Sequence, residues 1–257
     1  MIETVDYYIY KDSFIFKPNF NGFISNYINI ISNYKKLFFS NYNEPQLCVE
    51  TNNNCIANYR HKYIYSYFNK PLGESLNNLT NLQELTFGYY FNQPLCDSLN
   101  NQIQLQQLTF GGGFDQPLGD SLNNLTKLQQ LTFGYHFNKP LGDSLNNLKK
   151  LQELSLDYEF NMQIEIPTNI KILKLNCNNI NLIDNLPNSI EELYILDEFN
   201  LELNNLPNSI KIISFDKDSK YNKELNNLPL SIEKIYLPKN YNQKINNINS
   251  KCLIVYN

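Results

Sequence analysis

The sequence predicts a solenoid, meaning a curved parallel β-sheet with one short strand in each repeat of 19–26 residues and short turns or 3₁₀ segments on the convex side. Three observations support this fold class. A Phe-Asn pair returns at a constant interval, a fixed apolar pattern precedes each pair, and a second phrase continues the periodicity to the C-terminal residues. One such repeat cannot bury its own apolar side chains, so its stability has to come from stacking on its neighbours.

The Phe-Asn pair sets the period. The phrase FDQPLGDSL at 114–122 returns 23 residues later as FNKPLGDSL at 137–145. Ahead of each of the last four anchors, apolar residues stand nine, six and four positions back, as Leu82, Leu85 and Phe87 do before Phe91. This L-x-x-L-x-L/F pattern is the strand signature of a leucine-rich repeat. The anchoring residues are Phe68, Phe91, Phe114, Phe137 and Phe160.

A second phrase marks shorter repeats in the C-terminal part of the chain. It reads IPTNI at 166–170, LPNSI at 186–190 and 206–210, and LPLSI at 228–232. With Leu253 and Val255 as core positions of a last strand, we count twelve strands in one continuous solenoid. The expected organisation is degenerate N-terminal repeats or a cap at 1–60, regular repeats at 61–166, and LPxSI-type repeats with a C-terminal cap at 167–257.

The N-terminal part keeps the strand spacing in blurred form. Phe14 with Phe16, Leu37 with Phe39, and Tyr63 with Tyr65 predict three of the twelve strands. An amphipathic helix over 23–39 competes for the same residues, because Ile24, Tyr27, Ile28, Ile31, Leu37 and Phe38 follow a helical period.

Three kinds of side chain have an expected structural role. The phenylalanines of the Phe-Asn pairs should form an internal spine, and the asparagines a hydrogen-bonded ladder along the turns. Gly73, Gly119 and Gly142 follow Pro-Leu where a tight turn is expected, and Cys96 takes the same place as a tolerated small residue.

The phrases FNKPL, FNQPL and FDQPL, followed by GESLNN or by DSLNN one residue on, resemble FNIP repeats, relatives of leucine-rich repeats named for a Phe-Asn-Ile-Pro core. The resemblance covers 68–166 well and continues weakly to 257, with Lys or Gln in place of Ile. It implies a source among social amoebae or giant amoebal viruses. Some family members carry an N-terminal F-box and act as substrate receptors of ubiquitin ligases. An F-box needs a Leu-Pro start and three helices, whereas MIETVDYYIYKDSFIF reads as a hairpin.

Composition excludes several classes of partner. The net charge of −4 provides no basic excess for nucleic acid, and no apolar run is long enough to span a membrane. The N-terminus lacks the pattern of a signal peptide, and the five cysteines are an odd number. These features predict reduced thiols and a cytoplasmic location, in the host cell if the protein is viral.

The residues suggest no enzyme. The sequence predicts no catalytic residues, no metal site and no cofactor. Gly111, Gly112 and Gly113 are expected to form a turn rather than a phosphate-binding loop. The two histidines, His61 and His136, lie far apart in the repeat order, and a Cys55–His61 dyad has little support.

The concave face of the sheet is the expected contact surface. Its middle row should contain Phe38, Thr86, Thr109, Thr132, Ser155, Lys174, Tyr194, Ser214, Tyr236 and Ile254, with Tyr89, Tyr135 and Tyr158 on the rim. A purely structural threonine row and rim tyrosines that stack on each other remain the alternatives.

We interpret the chain as a non-catalytic protein-binding repeat protein with an unknown partner, or alternatively as a ubiquitin-ligase adaptor. The candidate contact residues are Thr86, Tyr89, Thr109, Thr132, Tyr135, Ser155, Tyr158, Tyr194 and Tyr236.

Overall fold

The computed structural model describes residues 2–41 and 65–257. The chain divides into two compact units, Met1–Leu151 and Gln152–Asn257. Each unit is a stack of repeats in which a strand of two to four residues alternates with turns. The predicted solenoid is therefore confirmed within each unit.

Seven short strands build the sheet of the N-terminal unit. The first three form an antiparallel meander, and from the third strand onward each strand pairs in parallel with the next. The strands are β1 (Ile2–Glu3), β2 (Tyr7–Tyr10), β3 (Ser13–Phe16), β4 (Lys36–Phe39), β5 (Glu84–Thr86), β6 (Gln107–Thr109) and β7 (Gln130–Thr132). The predicted N-terminal hairpin is thus formed by β2 and β3, with Lys11 in the turn at φ 54°.

Both N-terminal alternatives are realised, on different residues. A 3₁₀ helix spans Ile24–Tyr27, and α1 continues it over Ile28–Ile31. Lys36–Phe39 is nevertheless a strand, because its last three side chains are buried in register with β3 and β5. β4 pairs directly with β5, so the predicted strand at Tyr63 and Tyr65 does not separate them. Tyr63 lies outside the described residues, and Tyr65 is not in a strand.

Strand register places equivalent apolar side chains in columns. In the N-terminal unit, Leu37 lies opposite Leu85, and Leu85 opposite Leu108, which in turn lies opposite Leu131. All four leucines are fully buried. The alternation of side chains along each strand sends these residues to the core and their neighbours to the other face.

Two columns of stacked phenylalanine rings fill the rest of this core. Ring centroids are 5.1–5.7 Å apart in one column and 5.8–6.1 Å apart in the other, and the two columns are 3.8–4.1 Å apart where they meet. The first column contains Phe16, Phe39, Phe87, Phe110 and Phe133, and the second contains Phe20, Phe68, Phe91, Phe114 and Phe137. The predicted spine is therefore double, and each stacked pair adds about 0.5–1.5 kcal/mol to simple burial.

The asparagine ladder is confirmed. The side-chain oxygen of Asn69 accepts a hydrogen bond of 2.9 Å from the backbone N–H of Asn92, one repeat further on. Asn92 accepts in the same way from Asp115 at 3.0 Å, and Asp115 from Asn138 at 2.9 Å. Each repeat thus satisfies a backbone donor of the next, which fixes the stacking distance in the turn.

The C-terminal unit contains six parallel strands. They are β8 (Glu153–Leu156), β9 (Ile172–Leu175), β10 (Glu192–Ile195), β11 (Ile212–Phe215), β12 (Lys234–Leu237) and β13 (Leu253–Tyr256). A short helix, α2 (Ile180–Asp184), lies between β9 and β10. Asn179 holds the anchor position in the sequence but caps α2 instead, accepting a 3.2 Å hydrogen bond from the Leu182 N–H.

The predicted register of the last strand is wrong by one residue. Ile254 pairs with the buried Ile235, whereas Val255 pairs with Tyr236. Ile254 therefore belongs to the core column and Val255 to the opposite face, the reverse of the sequence prediction. The run Leu-Ile-Val-Tyr is apolar throughout, so its own pattern contains no alternation from which to choose the register.

The turns differ between the two units. In the N-terminal unit, i to i+3 bonds such as Ser121 N–H to Leu118 O at 3.0 Å form 3₁₀-type turns, and Gly142–Leu145 is a regular 3₁₀ helix. In the C-terminal unit, the LPxSI phrase closes a single turn, as in the 3.2 Å bond from Ile190 N–H to Pro187 O.

Candidate interaction face

The outer face is defined here as the strand side chains that point away from the core columns. In β5, β6 and β7, Thr86, Thr109 and Thr132 lie opposite one another. In the C-terminal unit, register places one row on successive strands: Ser155, Lys174, Tyr194, Ser214, Tyr236 and Val255. The sequence predicts these rows correctly except at β13.

The candidate contact residues on the outer face differ in their exposure to solvent. Thr109, Thr132, Tyr194 and Tyr236 are half-buried and offer surface to a partner. Thr86 and Ser155 are only 4% and 3% exposed, so they contribute little to a contact. Phe38 is also predicted to lie on this row but is fully buried, in a cluster with Tyr8 and Ile15.

The rim tyrosines of the N-terminal unit pack on one another. The rings of Tyr65 and Tyr89 are 4.2 Å apart, and Tyr89 Oη lies 3.3 Å from Nε2 of His136. Tyr89 reaches His136 because Gly112 stands between them, where an added Cβ would lie 2.4 Å from the Tyr89 ring. Tyr135 packs edge-on against His136. These contacts favour the stacking alternative for the rim.

Tyr158 lies at the equivalent rim position in the C-terminal unit. Its side chain is 41% exposed, and its backbone N–H donates a 2.7 Å hydrogen bond to Oδ1 of Asp157. Asp157 is itself buried and accepts from Nδ2 of Asn176 at 2.7 Å.

Charged side chains surround the tyrosines of the C-terminal outer face. Nζ of Lys174 lies 2.6 Å from Glu153 and also 5.7 Å from the centre of the Tyr194 ring. The Tyr194 hydroxyl donates to Glu192 at 2.8 Å. Partial burial and this hydrogen bond to Glu192 raise the pKa of Tyr194 to about 12, so it is a neutral donor at physiological pH.

A second aromatic–cation pair lies further along the same face. Nζ of Lys234 stands 4.6 Å from the centre of the Tyr236 ring. Within residues 2–41 and 65–257, Lys234 makes no ion pair. Beside the strands, by contrast, Glu191 is bridged to Lys171 at 3.0 Å and to Lys211 at 2.6 Å, so both of these lysines have a carboxylate partner.

The first position of each strand also lies on this face, and the sequence prediction missed it. Glu192, Ile212 and Lys234 lie two residues before the central row and therefore on the same side of the sheet. The two-residue period of each strand contains the signal for these positions, because it places the first residue on the same side as the third.

The buried thiol of Cys177 is held in unreactive surroundings. Burial raises the pKa of the Cys177 thiol to about 12, which keeps the sulfur protonated rather than nucleophilic. Among the described residues, no three His, Cys, Asp or Glu side chains lie together as a metal site would require. Over the same residues, no helix is long and apolar enough to cross a membrane. His61 and Cys55 lie outside the described residues.

Comparison with solved structures identifies the fold. CroV588, described as a circular leucine-rich-repeat protein, superposes with a TM-score of 0.53 at 22% identity; the match covers 98% of this chain and 44% of that one. The internalin InlF of Listeria monocytogenes gives 0.45 at 16% identity, covering 95% and 86%. This chain spans less than half the length of CroV588. No family model and no curated protein matches the sequence. Register, core columns and the likeness to CroV588 define a leucine-rich-repeat-like solenoid.

Proposed function

We propose that the chain is a non-catalytic repeat scaffold whose outer face, the face predicted to be concave, binds a protein partner. The observation that carries this proposal is the C-terminal row with Tyr194 and Tyr236. Both side chains are partly accessible and both lie beside charged residues. Tyrosine is enriched among the residues that anchor protein interfaces. The core columns already account for stability, so the fold does not require large aromatic residues on this face.

We also propose that residues 68–166 consist of FNIP-type repeats. Support comes from the roles of the repeated residues, because the phenylalanines stack in the core and the asparagines bond to the next repeat. A cytoplasmic location, in an amoeba or in a host infected by a virus, belongs to the same proposal. The adaptor alternative has no support in residues 2–41, which form strands and two short helical turns rather than three helices.

Affinity capture with matched variants tests the binding role. Wild-type chain, Tyr194→Ser/Tyr236→Ser and Thr109→Arg/Thr132→Arg are each used to capture proteins from a lysate of the source cell. Lys150→Glu is the control, because Lys150 is exposed in the turn before β8 rather than on the outer face.

We expect one or more proteins to be captured by the wild type and the control and lost from an outer-face variant. Capture that is equal for all four chains would contradict the proposal. Skp1-like and cullin proteins in the eluate would instead support the adaptor alternative.

A further inference from the structure

Three neighbouring strands of the C-terminal unit form a gap between two aromatic rings. Tyr194, Ser214 and Tyr236 lie directly opposite one another on β10, β11 and β12. Adjacent strands are about 4.8 Å apart, so the backbone positions of the two tyrosines are about 10 Å apart, with the small Ser214 between them. Aromatic rings pack with centroids about 4.5–7 Å apart. One further ring placed above Ser214 would therefore lie within packing distance of both tyrosines.

The surroundings of this gap leave it open to a partner. Lys174 packs on Tyr194 from the β9 side, which is the side away from Ser214. Ile212 lies two residues before Ser214 on the same face and is half-buried, so it provides an apolar floor. The gap is thus lined by two rings and one aliphatic side chain.

The charged side chains near the gap differ in whether they have a partner. The two carboxylates have partners, since Glu153 pairs with Lys174 and Glu192 accepts the Tyr194 hydroxyl. Lys234 is held over the Tyr236 ring but has no carboxylate partner in the part of the chain that the structure describes. An anionic group on a partner would complete this arrangement, because opposite charges across an interface are complementary.

We propose that Tyr194, Ser214 and Tyr236 form a slot for an aromatic side chain of an extended protein segment, and that Lys234 binds a carboxylate two residues away in that segment. The backbone positions of Lys234 and Tyr236 are about 6.6 Å apart along β12, and Nζ of Lys234 reaches to within 4.6 Å of the Tyr236 ring centre. Side chains at i and i+2 of an extended peptide have the same spacing. The recognised sequence is therefore aromatic-x-Asp/Glu in either direction. This inference rests on the proposed function and specifies its binding site.

The rim of the N-terminal unit is a weaker site for such a ligand. Its exposed rings are already stacked on each other, with Tyr67 and Tyr90 5.4 Å apart at 16° between planes. The space left by Gly112 is filled by the ring of Tyr89. Among the residues that the structure describes, no aromatic ring packs against Tyr194 or Tyr236.

Selection from a displayed library of random linear peptides tests the slot with the full chain as bait. We expect enriched peptides to share an aromatic residue and an Asp or Glu two positions away. Ser214→Phe places a ring in the slot and should weaken the best selected peptide by about thirtyfold, as loss of an interface anchor does. Lys150→Phe adds a ring in the exposed turn before β8, away from the outer face, and should have no effect.

A charge reversal gives a second, independent readout. When the Lys234→Glu variant is the bait, the enriched peptides should contain Lys or Arg in place of Asp or Glu and should keep the aromatic residue. Binding of the acidic peptide to the wild type should also weaken as salt concentration rises. Because Lys234 is a half-exposed side chain on the outer face, this variant tests the inference even if Ser214→Phe fails to fold.

The outcomes separate the slot from the general binding role. Enriched peptides without the aromatic-x-acid pattern, or no enrichment at all, would overturn the slot. Peptides that bind Ser214→Phe normally but not Thr109→Arg/Thr132→Arg would overturn it while supporting the outer face. Peptides insensitive to every outer-face substitution would contradict both proposals.

Discussion

Glycine occurs in each N-terminal repeat for two different physical reasons. Gly119 has φ +49° and no atom within 4 Å of the position that a Cβ would take, so only its backbone conformation calls for glycine. Gly111 has no such φ restriction, but a Cβ there would lie 2.2 Å from the carbonyl oxygen of Gly88 in the preceding repeat. The row with Gly88, Gly111 and Gly134 therefore allows neighbouring backbones to approach closely.

The backbone conformation of Cys96 is expected to lower the stability of the fold. Cys96 has φ 45° where three other repeats have glycine at +46° to +49°. A side chain at positive φ destabilises the folded state by about 1–2 kcal/mol. Glycine avoids this strain, but its greater freedom in the unfolded chain offsets about 0.5–1 kcal/mol of the gain. Cys96→Gly should therefore raise the free energy of unfolding by about 0.5–1 kcal/mol, measured by urea denaturation. Gly119→Ala is the reciprocal control and should lower it; equal stability of all three chains would exclude backbone strain as the cause.

One carboxylate of the C-terminal unit should make stability depend on pH. Burial, followed by the nearby charges of Asp216, Asp218 and Glu198, raises the pKa of Asp197, while Lys220 opposes them. Its Oδ1 is buried and has no hydrogen-bond partner among the described residues. A raised carboxyl pKa means that the folded state binds the proton more tightly than the unfolded state, so the charged form destabilises the fold at neutral pH.

Asp197→Asn should consequently be more stable than the wild type at neutral pH. The difference should narrow as the pH falls through the raised pKa toward the usual value of 3.8, because the wild type then gains its proton. Urea midpoints across this range give the measurement, and Asp184→Asn, at an exposed position, is the control. A difference independent of pH would show that removal of the charge is not the cause.

At the level of the repeat element, the ladder explains the one departure from Phe-Asn in the regular repeats. Asp115 replaces asparagine, and Lys139 of the next repeat places its Nζ 2.6 Å from Oδ2 of Asp115. In the two preceding repeats, Gln93 and Gln116 donate to the asparagine of the repeat before at 3.0 and 2.9 Å. The residues chosen at the second and third positions of the phrase are therefore coupled between neighbouring repeats.

Two substitutions at Asp115 distinguish the stability contributed by the ladder hydrogen bond from that contributed by the ion pair. Asp115→Ala removes the acceptor for the Asn138 N–H and should lower the free energy of unfolding by about 1–3 kcal/mol. Asp115→Asn keeps that acceptor and loses only a partly exposed ion pair, which is worth about 0.2–1 kcal/mol. Chemical denaturation at low and high salt measures both losses. High salt should remove most of the loss for Asp115→Asn, whereas the hydrogen-bond part of the loss for Asp115→Ala should persist. Equal losses for the two variants would argue against the ladder.

At the scale of the molecule, the N-terminal unit behaves as a stack in which each repeat contacts its neighbours. The phenylalanine columns, the leucine column and the ladder all repeat at the same interval of 23 residues. Removing a whole interval therefore leaves every column in phase, whereas removing part of one does not.

Deletion of 92–114, which joins Phe91 to Asp115, should give a folded chain of lower stability. Deletion of 92–102 removes part of the same repeat and should unfold the unit, because the core and outer positions of the following strand no longer match. Circular dichroism and the steepness of urea unfolding report both results. An unfolded whole-repeat deletion would contradict the nearest-neighbour account.

Sequence periodicity was sufficient for strand positions, core columns and the ladder, because identical repeats satisfy the same contacts many times. It was insufficient where the repeat is irregular. The register of β13, the helix-capping role of Asn179 and the direct pairing of β4 with β5 all depend on contacts with distant residues. The division into 1–60, 61–166 and 167–257, and the contact role of the nine candidate residues, stay predictions.

The sequence by itself determined the solenoid, since an apolar residue repeated at fixed spacing has only its equivalent in the next repeat to pack against. Only the tertiary structure decided which side chains of the outer face are accessible. Thr86 and Thr109 occupy the same position in their repeats, yet one is buried and the other is half-exposed. Likewise, the pairing of Glu153 with Lys174 and the lack of an ion pair at Lys234 within the described residues arise from side chains on neighbouring strands. Accessibility and charge pairing depend on what surrounds a residue, and a repeat pattern specifies only where it lies.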